Sequence, residues 1–320
     1  MTLASEQVAR KKSQLVEPAI ELGDFAGDDA SQETARRSLV VATYNIRYGV
    51  GSRLISGSLL RRLGLSRPGR RASLVGGNLV KAARAFSEER LMPRADLIAL
   101  QEADRRTVRA GSHDVARELA EHLRMRYARA AMPTPVDEEP LPKQWYLDFE
   151  QRIEMGETGD TGVAILSRLP LGAAERVELP WHECAWRPRL ALHVVVPFGA
   201  SRLHVFNTHI DPHATLDEQL SQHAAVLSRA AALGEREPRL LVGDFNTLVR
   251  RARVEMRRLL EAHGYKTPLP DGTGTWRAGP LRLHADWIFA RGLRVVRWGV
   301  ARPLRVSDHW PVWAEVEVES

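Results

Sequence analysis

The 320-residue sequence predicts an α/β protein with mixed sheets, and two observations carry that expectation. Short apolar runs rich in β-branched and aromatic residues recur along the chain, and segments with helical spacing lie between them. The first run, LVVATYNI, starts at Leu39 and reads as a buried strand ending at Asn45. Similar runs follow at Asp96 to Leu100, Val163 to Leu166, Leu190 to Val196, Leu203 to Phe206, Leu240 to Val242, Trp287 to Phe289 and Val312 to Val318. Among the helical stripes, Val115, Leu119 and Leu123 recur every four residues, with Ser112 in position to cap them. Leu216, Leu220, Ala224 and Leu227 form a second stripe. A third helix is expected from about Arg250 to His263, with Gly264 placed to end it. No internal repeat of fixed period is visible.

The organisation expected is one catalytic-sized domain over residues 38–320, preceded by a flexible polar leader over residues 1–37. Two segments read as excursions. Residues 51–77 are rich in Gly, Ser, Leu and Arg, and from Gly51 to Ser87 no acidic residue accompanies Arg53, Arg61, Arg62, Arg67, Arg70, Arg71, Lys81 and Arg84. Residues 132–158 carry Pro133, Pro135, Pro140 and Pro142 followed by an acidic, aromatic stretch.

No stretch approaches the roughly 18 consecutive apolar residues of a membrane span, so no integral membrane segment is expected. The N-terminal residues lack a basic segment followed by an apolar core, which gives a cytoplasmic expectation. A single cysteine, Cys184, excludes an intrachain disulfide and a thiolate zinc site. The formal charge of +6 is compatible with a polyanionic partner, although nearly all basic residues are Arg throughout. Arg250, Arg253 and Arg257 follow one another at helical spacing, so Arg250 and Arg253 are candidate substrate-binding residues. LISGSLLRRLGL in the 51–77 segment alternates apolar and basic character in a way that suits an anionic membrane surface. Aromatic interleaving for base stacking is absent.

The chemistry is carried by short polar signatures at the ends of the apolar runs: TYN (Thr43 to Asn45), LQE (Leu100 to Glu102), NTH (Asn207 to His209), GDFN (Gly243 to Asn246), Asp286 and SDH (Ser307 to His309). Glu102 is a hard-oxygen ligand suited to Mg²⁺ or Mn²⁺, and Asn45 can ligate or orient that ion without adding charge. Asp244 and Asn246, two apart on a turn, can address one spot, the carboxylate aligning a water and the amide donating to a phosphoryl oxygen. His309 can donate to a phosphate, Asp308 can complete a metal site, and Asp286 is placed to fix the His309 tautomer. His209 supplies a second imidazole. Each signature has a bland alternative, such as an Asx turn or a satisfied core histidine.

The ordered set resembles the endonuclease/exonuclease/phosphatase superfamily, whose members share the deoxyribonuclease-I-like fold. The resemblance covers roughly Leu39 to Glu319 and includes Ser167-Arg168 in TGVAILSRLPL. It implies a four-layer α/β sandwich, two mixed β-sheets flanked by helices. It also implies Asn45, Glu102 and Asp308 at a Mg²⁺ that Mn²⁺ can replace, with His209, Asp244, Asn246, Asp286 and His309 as catalytic residues. Trp287 stands where the family usually has Tyr, and His284 where Arg is common. The NTH signature sits closer to the sphingomyelinase-like and deadenylase-like branches than to the abasic-site endonucleases.

The function expected is divalent-metal-dependent hydrolysis of a phosphoester, foremost a phosphodiester, in a phosphate-containing substrate. A DNA or RNA nuclease of the same fold is the second reading, which makes nucleic acid a candidate partner. A non-catalytic binding module on a hydrolase fold is the third.

Overall fold

The computed structural model describes residues 19–27, 37–51, 69–132, 153, 157–181 and 188–319. The LISGSLLRRLGL segment, most of the 132–158 excursion and Cys184 lie outside the described residues.

Two sheets form the centre. The seven-stranded sheet has the order β1-β4-β5-β3-β2-β14-β13 and the five-stranded sheet the order β12-β9-β8-β7-β6. In the first, β2 (Ser38–Asn45) runs parallel to β3 (Leu97–Gln101) and antiparallel to β14 (Val312–Val318). Outside them lie β5 (Gly162–Ser167), β4 (Arg126–Ala131), β1 (Glu21–Asp24) and β13 (Leu293–Val300). In the second, β8 (Ser201–His209) runs parallel to β9 (Arg239–Asp244), flanked by β7 (Leu190–Phe198), β6 (Ala174–Glu178) and β12 (Asp286–Arg291). A hairpin of β10 (Trp276–Ala278) and β11 (Leu281–Leu283) stands apart.

Helices cover both outer faces. Val75, Leu79 and Phe86 of α1 (Arg70–Ser87), with Val115 and Leu119 of α2 (Val115–Leu123), pack on Val40, Ala42, Tyr44 and Leu100. Val226 and Leu227 of α3 (Leu216–Ala231), with Met256 and Leu260 of α4 (Arg250–Ala262), cover the smaller sheet. Between the sheets, Leu39, Val41, Leu97 and Ala99 meet Leu192, Val194, Val205 and Val242. The result is helix, sheet, sheet, helix, the four-layer sandwich expected.

Strand parity positions the site. The period of two that buries Leu39 and Val41 between the sheets also turns Thr43 and Asn45 inward. In the paired register Val205↔Leu240, Asn207↔Val242 and His209↔Asp244, the apolar members fill the core and the polar pair ends it. β12 runs the other way from the same end, so Asp286 opposes Asp244. Gly243 is required here: a Cβ would lie 1.9 Å from the Thr208 carbonyl oxygen, and its φ of +146° suits glycine.

Several elements differ from expectation. Residues 21–24, inside the expected leader, form β1, which pairs antiparallel with β4. Arg70 to Gly77, expected as excursion, are the first turns of α1, where Gly76 and Gly77 masked a helix whose apolar stripe continues through Phe86. The cap of α2 is Asp114, whose side chain accepts from Arg117 N, because Ser112 sits in a turn with φ +65°. Edge strands β6 and β13 also escaped the sequence pattern, since each exposes charged residues on one face. The α3 stripe is borne out and carries a full capping box between Thr215 and Glu218, and α4 ends two residues before Gly264, whose φ is +80°. Among the described residues no helix is long and apolar enough to cross a membrane.

Candidate active site

Six strand ends converge at one end of the two sheets. Asn45 ends β2, Glu102 follows β3, His209 ends β8, Asp244 ends β9, Asp286 begins β12, and Asp308 and His309 precede β14. Glu102 at φ +52° and Asn246 at φ +50° have left-handed backbones, and the Asn246 amide, expected to donate to a phosphoryl oxygen, donates from Nδ2 to Ile210 O at 2.8 Å.

Asp244 is the hub. Its Oδ2 accepts from Asn45 Nδ2 at 2.9 Å, and its Oδ1 accepts from the backbone N–H of Asn246 at 3.0 Å. Asn45 Nδ2 also donates to Glu102 Oε1 at 3.0 Å, so one amide ties the carboxylates of the two sheets together. Burial alone would raise the Asp244 pKa. The imidazoles of His309 and His209 and the donors from Asn45 and Asn246 outweigh it and hold the carboxyl below its usual range.

Two imidazoles face that carboxylate. His309 Nε2 lies 3.7 Å and His209 Nε2 3.6 Å from Asp244 Oδ2, too long for hydrogen bonds and close enough for both to address one small atom beside it. His309 Nδ1 meets Asp286 at 2.8 Å and 3.1 Å, the orienting pair expected. Asp286 is itself fixed by its backbone N–H, which donates to Thr275 Oγ1 at 3.0 Å. Burial would depress the His309 pKa, but the Asp286 and Asp244 carboxylates push it up to about 10. Burial raises Asp286 to about 6, with His309 opposing. At neutral pH the two carboxylates therefore favour the imidazolium form of His309.

Around His209 the surroundings are of opposite sign. Arg189 Nη1 lies 3.3 Å from His209 Nδ1. A guanidinium only donates, so this nitrogen accepts and the ring proton sits on Nε2, facing Asp244. Arg189 is buried, reaches Met132 Sδ at 3.8 Å, and leaves its Nε without a hydrogen-bond partner. Sequence reasoning passed over Arg189 because it stands alone before an apolar strand, with no motif around it.

Other sequence candidates sit differently. Asp308 was expected at a metal. Instead its Oδ2 is held by Arg47 Nη1 at 3.2 Å and Trp276 Nε1 at 3.2 Å, and its Oδ1 accepts from Ser307 Oγ at 3.2 Å. Arg47, another residue the sequence reading missed, belongs to the NIRYG continuation of the first signature, where Asn45 Oδ1 accepts its N–H at 3.0 Å. Arg253 is neutralised by Asp271 at 2.5 Å, and Arg257 pairs with Glu261 at 3.1 Å, so the α4 stripe is a salt-bridged face. Arg250 lies exposed on the first turn of that helix. Asn207 does not face the cleft: its amide bridges the sheets, donating to Leu100 O and Ala164 O at 2.8 Å each and accepting from Gln101 Nε2 at 2.7 Å. Trp287 and His284, the two departures from the family pattern, stack at 3.6 Å, and the indole donates to Thr247 Oγ1 at 2.7 Å.

A hard cation fits this chemistry at two places. Glu102 offers the hard oxygen donors that Mg²⁺ and Mn²⁺ take, oriented by the Asn45 Nδ2 that donates to its Oε1. Asp244, Asp286 and His309 also bring ligand atoms within 4.8 Å of one another. In that second group, Asp286 and His309 already satisfy each other through Nδ1, which favours the first.

Residues 42–309 match the model of the Endonuclease/Exonuclease/phosphatase family. The chain belongs to this family. Its members are hydrolases of phosphoesters, in agreement with a site built from a buried carboxylate, two imidazoles and amides. No curated protein sequence matches the chain. Solved structures share the family fold. An endonuclease/exonuclease/phosphatase from Beutenbergia cavernae DSM 12333 is 19% identical with a TM-score of 0.60, covering 89% of this chain and 72% of that one. ANGEL2, described as a 2',3'-cyclic phosphatase in complex with adenosine-2',3'-vanadate, is 15% identical with a TM-score of 0.56, over 95% of this chain and 99% of that one. The human Nocturnin catalytic domain with bound sulfate is 13% identical with a TM-score of 0.54, over 94% and 98%.

Proposed function

We propose that this family member hydrolyses a phosphodiester with the help of a divalent cation, Mg²⁺ or Mn²⁺. The observation that carries this reading is the convergence of His209 Nε2 and His309 Nε2 on one oxygen of Asp244. A phosphoryl group placed there meets two N–H donors and a carboxylate at once. Asp244, ionised at neutral pH, orients a water and accepts its proton as the new P–O bond forms and the ester P–O bond breaks, the departing oxygen taking a proton from solvent and leaving as the alcohol. His309, held as imidazolium by Asp286, donates from Nε2 to the oxygen on which negative charge builds. His209, with Nδ1 occupied by Arg189, donates from Nε2 only. Arg189 adds a buried positive charge behind it.

Glu102 would hold the cation, with Asn45 orienting its carboxylate. Bound there, the cation supplies Lewis-acid polarisation of the phosphoryl oxygen. Asp308 then acts indirectly, by anchoring Arg47, the residue that fixes the Asn45 amide through its backbone.

The test is turnover of bis-p-nitrophenyl phosphate with Mg²⁺, with Mn²⁺ and with EDTA. Activity is expected with either metal and abolished by the chelator. Chelator-insensitive turnover, or undiminished turnover by Asp244→Asn, would overturn the reading.

A further inference from the structure

Around the residue that follows His309 lies a cluster of like charge. Trp310 follows His309 directly, and three guanidinium carbons surround its ring: Arg302 at 5.2 Å, Arg277 at 5.3 Å and Arg282 at 5.8 Å from the centroid. Arg277 and Arg282 are directly opposed across the β10–β11 hairpin. Arg302, from the turn after β13, reaches in to donate to Gly274 O. A Cβ at Gly274 would lie 3.0 Å from Arg282 Cβ and 3.6 Å from Arg302 Nη2, so both side chains flank the same small residue.

Opposed like charges destabilise a β-ribbon. Stacking on Trp310 offsets part of this. Elsewhere the protein solves the same problem with carboxylates. Arg253 has Asp271, Arg257 has Glu261 and Arg258 has Glu255. Arg297, which also lies over an indole, that of Trp313, has Glu315. Among the described residues none of Arg277, Arg282 and Arg302 pairs with a carboxylate, and Arg277 Nη2 is buried with no hydrogen-bond partner. The counter-charge missing from the protein is an anion.

The cluster is tied to the catalytic residues by its own backbone. Arg277 N donates to Asp308 O at 3.0 Å, Trp276 Nε1 to Asp308 Oδ2 at 3.2 Å, and Trp276 bridges antiparallel to His309. Trp310 itself is buried, so its ring serves as a platform for guanidinium groups and offers no face for base stacking. Recognition there runs through charge.

Resting on the phosphodiesterase reading above, we propose that Arg277, Arg282 and Arg302 form a second phosphate site, and that the substrate is a polyanion carrying at least one phosphate besides the scissile ester. A diester with a single phosphate reaches only the Asp244–His309 centre. A polyphosphorylated one is held at two points.

The test combines calorimetric binding of inorganic tripolyphosphate in EDTA with kinetics on two substrates, bis-p-nitrophenyl phosphate and decathymidylate. Arg282→Ala and Arg302→Ala should each weaken tripolyphosphate binding about ten-fold, the scale of a charge-assisted hydrogen bond. Each should lower the ratio of kcat/KM for decathymidylate to that for bis-p-nitrophenyl phosphate by a similar factor, through KM. The log–log salt slope of decathymidylate KM should fall by about 0.7 per arginine removed. Arg282→Lys and Arg302→Lys should each restore most of the ratio, and Arg297→Ala should change neither readout. Competition by inositol hexakisphosphate weaker than by decathymidylate assigns the second phosphate to a nucleic-acid backbone, and the reverse to a soluble polyphosphate; both support the site. Unchanged tripolyphosphate affinity and an unchanged ratio in the Arg282→Ala/Arg302→Ala double variant would overturn it. Failure of the wild type to turn over bis-p-nitrophenyl phosphate with Mg²⁺ would sink the catalytic reading instead, and the tripolyphosphate measurement would still decide the site.

Discussion

His309 and His209 face the same oxygen of Asp244 at 3.7 Å and 3.6 Å, yet they are wired in opposite ways. Behind His309 stands the carboxylate of Asp286, and behind His209 the guanidinium of Arg189. A third buried histidine, His223, packs edge-on against Phe245 with its Nε2 unpartnered, and burial alone brings its pKa down to about 3. His309 is as deeply placed but is held at about 10, because two carboxylates override the same burial. Burial alone keeps His223 neutral, and at His309 it is overridden by the carboxylates on either side of the ring.

Neutralising the shared oxygen should have the largest effect. Asp244→Asn should reduce kcat/KM for bis-p-nitrophenyl phosphate by about 10³-fold or more, since both rings then address an amide. Thermal unfolding of the variant checks that the fold survives.

Asp286→Asn should make His309 behave more like an ordinary histidine, with a loss of about 10²-fold or more in kcat. The sign with pH follows. The imidazolium is present below about 10, so wild-type activity that depends on it falls as pH rises through that value. Without the Asp286 charge the fall moves to lower pH. A pH–rate profile of the variant whose alkaline limb stays in place would show that Asp286 does not hold the proton.

On the other side of the oxygen, Arg189→Met should cost about ten-fold in kcat/KM while leaving the unfolding midpoint equal to or above that of the wild type. The reason is that it removes a buried charge with no carboxylate partner among the described residues. Arg189→Lys should recover part of the activity. A large fall in stability for the Met variant would mean that Arg189 is a packing residue.

The smallest effect sharpens the burial-only reference. His223, lowered from 6.5 to about 3, contributes stability that is complete above about 6.5 and is lost as pH falls toward 3, because the unfolded chain binds the proton that the folded chain refuses. His223→Leu should flatten the dependence of unfolding free energy on pH in that window by up to about 1.4 kcal/mol per pH unit. His284, also near 3 through burial and its neighbour Arg253, keeps a second such slope in place.

The division between sequence and fold can be read residue by residue. Asn45, Asp244 and Asp286 were legible because each sits at the end of an apolar strand, where parity turns the polar side chain toward the cleft, while Asn246 and His309 were legible from the short signatures beside such strands. The central strands were legible for the same reason, being apolar on both faces. The strand β1, edge strands such as β13 and the hairpin β10–β11 were not, because half-exposed strands carry charges that hide the alternation. The Arg253 expectation failed on a partner eighteen residues away, Asp271, that helical spacing could not show. Arg47, Arg189 and the trio around Trp310 remained invisible among many arginines of equal rank. A sequence states which groups carry charge. Whether a charge is answered by a carboxylate, an imidazole or nothing within the protein depends on contacts between distant segments, and only the tertiary structure decides that.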